Sequence, residues 1–125
     1  CSPSTTKTKP MKHIKWEDIP YERVNDSFLR KIAWDGKVMI GLTEVAQGYV
    51  VPAHSHDNEQ VTWVMSGRWR FQLEGKTVEV GPGEMIFIPA NVVHRAEAVE
   101  KLVAYDIFTP PREDWLKGDD SYLRA

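Results

Sequence analysis

Short apolar segments, interrupted at close intervals by glycine and proline, run through this chain of 125 residues. The clearest is Arg68 to Glu74, in which aromatic and aliphatic side chains alternate with charged or amide ones. Strict alternation places the two classes on opposite faces of an extended strand. No helical period is sustained before the C-terminal end, where Arg112 to Leu116 could form a short turn or helix. The pattern therefore predicts an all-β sandwich or barrel.

Turn residues mark where the predicted strands end. Asp35-Gly36 predicts a hairpin turn, and Ser66-Gly67, Gly75-Lys76 and Gly81-Pro82-Gly83 predict further turns. The strands predicted between these turns are residues 28–34, 38–45, 60–65, 68–74, 77–80, 85–88 and 101–108.

Length and charge limit the classes of function. A chain of 125 residues is long enough for one core, so we expect a disordered polar tail over residues 1–11 and a single domain over residues 12–125. The 16 Lys and Arg nearly balance the 18 Asp and Glu, which argues against nucleic-acid binding. No apolar stretch has the length of a membrane span. We therefore expect the partner to be a small molecule.

The single cysteine, Cys1, cannot form an internal disulfide bond. Two interpretations of its position remain open. In the first, the natural chain starts near Met11, and we expect a cytoplasmic protein. In the second, Cys1 is the lipidated first residue of a mature periplasmic or extracellular lipoprotein, and residues 2–10 are a polar tether.

Three of the four histidines and one glutamine have the spacing of a transition-metal site. His54 and His56 are two residues apart, so on a strand both imidazoles emerge on one face, and Gln60 keeps the same parity. His94 would reach them from another strand as a barrel closes. Imidazole and amide ligands suit several metals. We predict one divalent transition-metal ion at these four residues, with zinc, nickel, manganese, iron and copper all possible.

These residues are where the chain resembles a cupin. The first cupin motif has a Gly, five residues, His-x-His, a Glu and a final Gly, and here Gly48 and Gly67 frame the histidine pair. The second motif is matched by Gly83, Pro89 and His94. Asn91 replaces its middle Gly, which Asn tolerates because it accepts a left-handed backbone, and Ala98 replaces its final Asn. The resemblance implies a jelly-roll β-barrel, commonly a homodimer.

The main departure from the cupin pattern is at the carboxylate ligand. Spacing puts Gln60 where many cupins have Glu, while Glu59 would point to the opposite face of a regular strand unless a bulge reverses the register. Neutral ligands leave the charge of a divalent ion uncompensated, which makes it a stronger Lewis acid and a better anchor for an anion. The set is also less like the two-His-one-carboxylate site that favours oxygen chemistry at iron.

The closing segment, residues 105–116, resembles that of the pectin-degradation cupins, which convert 4,5-unsaturated monouronates to linear keto sugars. The resemblance implies a pocket lined by Asp106, Phe108 and Arg112. Asp106 and Phe108 share one strand face, where a carboxylate is costly without a role or a partner. Arg112 would hold a substrate carboxylate, Asp106 would transfer a proton and Phe108 would pack on a sugar face. The alternative is a structural ion pair between Asp106 and Arg112.

The leading functional prediction is a metal-dependent, non-redox lyase or isomerase that acts on a small carboxylated sugar. One alternative is a non-haem metal oxygenase, which would consume oxygen when loaded with iron. The other is a non-catalytic module in which the metal anchors a small ligand, which would be recovered unchanged. Because one fold supports many activities, the choice depends on the site itself.

Overall fold

A computed structural model describes residues 9–118, Asp120 and Leu123. Cys1 lies outside these residues, and so does most of the predicted N-terminal tail. The predicted cytoplasmic location and its lipid-anchored alternative therefore stay predictions. Within the described part of the chain, no helix combines the length and the apolar character needed to cross a bilayer.

The described residues form an almost entirely β structure, with a short 3-10 helix at Trp16–Asp18 and one α-helix, α1, at Glu113–Lys117. The strands are β1 (Glu22–Asn25), β2 (Phe28–Asp35), β3 (Val38–Val45), β4 (Val50–His54), β5 (Glu59–Leu73), β6 (Lys76–Val80), β7 (Met85–Ile88) and β8 (His94–Thr109).

Two long antiparallel strands, β5 and β8, organise the barrel. The first half of β5 pairs with β7 and with the second half of β8, whereas its second half pairs with β6 and with the first half of β8. On its other edge β8 pairs first with β4 and then with β3, and β3 continues through β2 to β1. Both long strands thus pass from one layer to the other. The result is the predicted jelly-roll barrel.

The predicted turn at Ser66-Gly67 is wrong, because the chain continues there as one strand. The pairing register of β5 with β8 shifts at Ser66, which marks a bulge. Gly67 has φ of +79°, and a Cβ added there would lie 2.1 Å from the carbonyl oxygen of Lys101. Glycine serves here to let two backbones approach while a strand bends, which in a sequence has the same signature as a hairpin turn.

Strand β8 also begins earlier than predicted, at His94 instead of Lys101. Its first half alternates small buried residues, Ala96 and Ala98, with charged ones, so it has little of the apolar character expected of a strand. Strands β1 and β4 were not predicted either. Each is only four or five residues long, and β4 contains Pro52.

The core fills the space between the two layers. Val64, Leu102 and Ala104 are fully buried at its centre, and Trp69 and Phe71 point inward beside them, as the alternation of residues 68–74 predicts. Arg68 and Arg70 lie on the outer surface and pair with Glu79.

The described part of the C-terminal segment, residues 110–118 with Asp120 and Leu123, packs against the inner side of the barrel. The Trp115 ring contacts Phe108 with centroids 5.0 Å apart, and it lies so close to Gly41 that a Cβ there would be 3.1 Å from its ring. Near its end, the carbonyl of Leu123 accepts hydrogen bonds from Tyr49 and Asn25. The segment therefore forms one wall of the interior.

Candidate metal centre

The fold brings three histidines together although three strands, β5, β6 and β7, lie between His54 and His94 in the chain. His54 ends β4, His56 follows in the loop, and His94 begins β8 opposite His54 in the ladder. One ring nitrogen from each lies within 4.8 Å of the others. The described residues therefore contain a cluster that could hold a metal ion.

Backbone carbonyls set the orientation of all three imidazoles. Nδ1 of His54 lies 2.8 Å from the carbonyl of Pro52, Nδ1 of His56 lies 3.0 Å from that of Asn58, and Nδ1 of His94 lies 3.0 Å from that of Val92. A carbonyl oxygen only accepts, so each Nδ1 must carry a proton. Nε2 is then the nitrogen available to a metal in every ring, which is the usual arrangement around a histidine ligand.

Burial keeps these imidazoles neutral. It lowers the pKa of His54 and His56, and nearby Arg112 lowers both further. The pKa of His94 falls to about 4, again chiefly through burial. Neutral imidazole is the form that binds metal, so the cluster is ready at neutral pH without losing protons.

Gln60 lies on the inner face of β5 and Glu59 is exposed. The amide oxygen Oε1 of Gln60 lies 3.0 Å from Nε2 of His56. With Nδ1 of His56 protonated, both of these atoms present lone pairs, so they repel unless a cation or proton lies between them. A cation bound by both atoms would remove this repulsion, and imidazole nitrogen and amide oxygen are both ligands that transition metals accept. The residues present thus fit a divalent transition metal.

A chain of polar contacts runs inward from this glutamine. Nε2 of Gln60 donates to Oγ1 of Thr62 over 2.9 Å, and Thr62 donates to Oδ1 of Asp106 over 2.6 Å. All three side chains are buried. Since Thr62 pairs with Asp106 across the β5–β8 ladder, their contact follows directly from the register of the two strands.

Asp106 is a buried carboxylate with an unusual proton affinity. Burial raises its pKa from 3.8 to about 6, although the hydrogen bond from Thr62 and the charge of Arg112 both act in the opposite direction. A carboxyl group with a pKa near 6 exchanges protons readily close to neutral pH. Phe108, two residues along, is buried and lies edge-on to His56, with ring centroids 5.9 Å apart.

Arg112 is buried at the mouth of the barrel. Its Nε and Nη2 donate to the two carboxylate oxygens of Asp114, at 2.9 and 2.6 Å. The guanidinium carbon lies 5.1 Å from the centre of the Phe108 ring and 5.4 Å from that of Trp115. Its charge opposes, but does not overcome, the effect by which burial raises the pKa of Asp106, and Asp114 supplies its bidentate partner.

The site has an inner and an outer part. An interior cavity of about 40 Å³ is lined by Gln60, His94, Asp106 and Phe108, whereas a wider groove outside is lined by His56, Asn58 and residues 110–114. His54 and Arg112 line both. The cavity has room for only a few water molecules. A ligand larger than a few water molecules would therefore lie mostly in the groove.

Sequence reasoning missed three residues that shape this site. Thr62 lies two residues after Gln60 and so faces inward with it, but its sequence context does not mark it as a site residue. Asn58 is buried and donates to the carbonyls of Pro110 and Pro111, which ties the histidine loop to the segment carrying Arg112. Asp114 fixes the guanidinium of Arg112. The contacts of Thr62 and Asn58 join segments 44 to 53 residues apart, so local patterns do not contain them. Asp114 lies only two residues from Arg112, but nothing in the local sequence shows that the two side chains pair.

Comparison with known proteins decides the family. The family model described as the cupin domain matches residues 41–108, more than half of the chain. The chain is a cupin. The match spans the two histidine motifs and the strand that carries Asp106 and Phe108.

Several relatives are similar to this cupin over most of its length. KdgF from Halomonas sp. is 27% identical with a TM-score of 0.74, over 79% of this chain and 94% of that chain. An RmlC-like cupin from Shewanella frigidimarina has a TM-score of 0.77 at 23% identity, over 84% of this chain and 96% of its own, a likeness that shows the fold alone. An uncharacterized protein of Streptomyces coelicolor is 26% identical over 103 residues, which cover 81% of this chain and 98% of that protein.

Proposed function

We propose that this cupin is a metal-dependent lyase or isomerase that opens the ring of a small carboxylated sugar, with a 4,5-unsaturated monouronate as the leading substrate. One observation carries the proposal. A buried carboxylate with a pKa near 6, Asp106, lies in the same small cavity as a neutral metal-ligand set and next to a buried guanidinium. The resemblance of the closing segment to the pectin-degradation cupins and the similarity to Halomonas KdgF support it.

The ligands in this proposal are His54, His56, Gln60 and His94. A bound divalent ion would polarise a substrate oxygen, and four neutral ligands would leave its charge fully available for that purpose. The absence of a carboxylate among the four favours Lewis-acid chemistry over the oxygen chemistry of the iron facial triad.

Arg112 orients the substrate. A planar guanidinium at the junction of groove and cavity suits bidentate recognition of a carboxylate. Because Asp114 occupies its Nε and Nη2 edge, the arginine is held in one position before any substrate arrives. Phe108 is buried beneath the same guanidinium, so it would meet a sugar only through the part of its ring that lines the cavity.

Asp106 moves the proton. Opening the ring of an unsaturated uronate removes a proton from the anomeric hydroxyl group, breaks the ring bond between the anomeric carbon and oxygen, and adds a proton to the alkene carbon not bonded to that oxygen. The product is a linear aldehyde with a ketone, and no atom is gained or lost. A carboxyl group with a pKa of about 6 can serve this exchange in both directions at neutral pH.

The direct test is to incubate the metal-loaded protein with a 4,5-unsaturated monouronate and follow the loss of absorbance of its conjugated carboxylate. We expect rapid loss with the wild-type protein and a kcat about 10²- to 10⁴-fold lower for Asp106→Asn. No acceleration over buffer would remove the sugar assignment. Oxygen uptake by an iron-loaded sample would favour an oxygenase instead, and substrate recovered unchanged would favour a binding module.

Metal binding can be tested separately from activity. Zinc at one hundred times its dissociation constant should raise the free energy of unfolding by about 2.7 kcal/mol, and His94→Ala should lose this gain. His13→Ala is the matched control, since His13 is exposed and lies outside the cluster. Equal stabilisation of both variants by zinc would argue against the site.

We propose further that the protein is a homodimer, as cupins commonly are. The outer faces of β5 and β7 carry exposed apolar side chains, among them Trp63, Met65, Met85 and Phe87, the last 70% exposed. The register places Trp63 beside Met85, so these side chains form one patch. Phe87→Asp should therefore halve the mass measured by light scattering. An unchanged mass for this variant would exclude the patch as the interface.

A further inference from the structure

We propose that Thr62 is a positioning residue that turns the amide oxygen of Gln60 toward the metal, an inference that rests on the metal site proposed above. Thr62 is fully buried and lies two residues beyond Gln60 on the inner face of β5. It contacts two polar groups, Nε2 of Gln60 at 2.9 Å and Oδ1 of Asp106 at 2.6 Å.

The direction of each hydrogen bond in this chain follows from counting protons. A hydroxyl group has one proton to donate, and an amide nitrogen only donates. Thr62 must therefore accept from Gln60, and its own proton must go to Asp106. With Nε2 of Gln60 held in this way, Oε1 is directed to the other side, where it lies 3.0 Å from Nε2 of His56.

The reversed amide would break this chain. If Oε1 of Gln60 faced Thr62, it would need the hydroxyl proton, and the oxygen of Thr62 would then face Oδ1 of Asp106 at 2.6 Å with no proton to donate to it. At the same time the amide nitrogen, which has no lone pair to offer a cation, would face the metal site. Thr62 thus ensures that the atom presented to the metal is an oxygen.

The same counting explains why the residue at position 60 is a glutamine. A glutamate there would bring a second acceptor to Thr62, whose only proton is already given to Asp106. One carboxylate would then either face a hydroxyl oxygen without a hydrogen bond or have to take up a proton, inside a buried site where an unmade hydrogen bond is costly. Asp106, acting through Thr62, therefore selects a neutral amide ligand for the metal.

The experiment compares metal affinity in one variant that keeps the volume of residue 62 without its hydroxyl group and in another that keeps the hydroxyl group. Zinc is titrated in competition with a chromophoric chelator. Thr62→Val should bind zinc about 10- to 100-fold more weakly than the wild-type protein, as is usual when a group supporting a ligand is lost. Thr62→Ser, which restores the hydroxyl, should recover most of that loss.

Thr43→Val is the matched control for Thr62→Val. Thr43 is also fully buried, but its hydroxyl donates to the carbonyl of Ala104, at 3.1 Å, away from Gln60. Zinc affinity of Thr43→Val should equal that of the wild-type protein. Equal weakening in both valine variants, no weakening in Thr62→Val, or no recovery in Thr62→Ser would each overturn the role of Thr62.

A measurement on the wild-type protein keeps the inference testable if Thr62→Val does not fold. In zinc-loaded, ¹⁵N-labelled protein, the side-chain amide protons of Gln60 should exchange slowly with water and show a nuclear Overhauser effect to Thr62. Rapid exchange, or an effect to His56 in place of Thr62, would overturn the inference. If the wild-type protein binds no zinc, cobalt, nickel or manganese, the proposed metal function fails, and this inference fails with it.

Discussion

Two buried arginines contact the same indole ring, yet their surroundings differ. The guanidinium of Arg30 lies 4.5 Å from the Trp115 ring centre and that of Arg112 lies 5.4 Å from it. Arg30 is fully buried, and its partners are Glu22 and Asp120, the latter also fully buried. Arg112 is paired with Asp114, which is 31% exposed, and it borders both the cavity and the groove.

The difference separates a structural cation from one suited to binding a ligand. Arg30 lies where its partners come only from the chain, and its pair with Asp120 ties the C-terminal segment to β2. Arg112 lies where an anion from solvent can reach it. Burial alone therefore does not distinguish a structural arginine from one suited to binding a ligand. The two are distinguished by whether the arginine borders a space that solvent can enter.

The largest expected effect comes from removing Arg30. Arg30→Met removes the cation that pairs with the fully buried carboxylate of Asp120, so the free energy of unfolding should fall by about 3–5 kcal/mol. Arg112→Met is the matched variant, since Arg112 contacts the same Trp115 ring. It should lower the free energy of unfolding by only about 1–2 kcal/mol because water can reach Asp114. Urea denaturation measures both. Equal losses would mean that the two arginines have the same structural role.

The next effect concerns the carboxylate that Arg112 influences. In the folded protein the pKa of Asp106 is raised from 3.8 to about 6, so its charged form is disfavoured by folding. The stability that this group contributes is fully present below pH 3.8 and is lost as the pH rises to about 6. The rise of this pKa from 3.8 to about 6 corresponds to about 3 kcal/mol.

Asp106→Asn tests this linkage in metal-free protein. The variant should be more stable than the wild-type protein at pH 7, by up to about 3 kcal/mol, and the two should converge toward pH 4. Denaturation at several pH values in the presence of a chelator measures the difference. A variant that is less stable at pH 7 would show that Asp106 is held mainly by a structural ion pair.

A smaller effect is expected when Arg112 keeps its charge but loses its planar shape. Arg112→Lys should raise KM for a uronate about 10- to 100-fold through the loss of a bidentate contact, with a smaller change in kcat. The corresponding uronamide, which lacks the carboxylate charge, should bind the two proteins almost equally. If the variant discriminates between acid and amide as well as the wild-type protein does, Arg112 is not the carboxylate-binding residue.

The smallest effect is expected on the outer surface, where arginines are plentiful but exposed. Arg68 and Arg70 both lie near Glu79, at 3.8 and 3.1 Å, with about a third of each side chain exposed. Glu79→Gln should change the free energy of unfolding by less than about 1 kcal/mol, and salt should reduce the difference further. A larger loss would show that a network of surface charges holds this layer.

The sequence contained enough to predict the fold class and the histidines of the site. Alternation in residues 68–74 correctly separated Trp69 and Phe71, which are buried, from the exposed arginines. Asn91 has φ of +67°, the left-handed conformation that Asn is expected to accept in place of a motif glycine. The likeness to cupins was carried by motifs that lie within single strands and turns, which is why it could be found without coordinates.

Features that depend on pairing between distant strands could not be predicted. The bulge at Ser66 looks like a turn in the sequence, because glycine serves both purposes. The contact between Thr62 and Asp106 exists only because β5 and β8 pair in one register, and a shift of a single residue would point one of them outward.

The order of residues alone determined that this protein is a β-barrel with imidazoles at fixed spacing, since strand periodicity and turn chemistry act over a few neighbouring residues. Tertiary structure decided which polar groups meet inside it. Only the closed barrel excludes enough water to raise the pKa of Asp106 and to give the single proton of Thr62 its direction, because burial and hydrogen bonding depend on everything that surrounds a group.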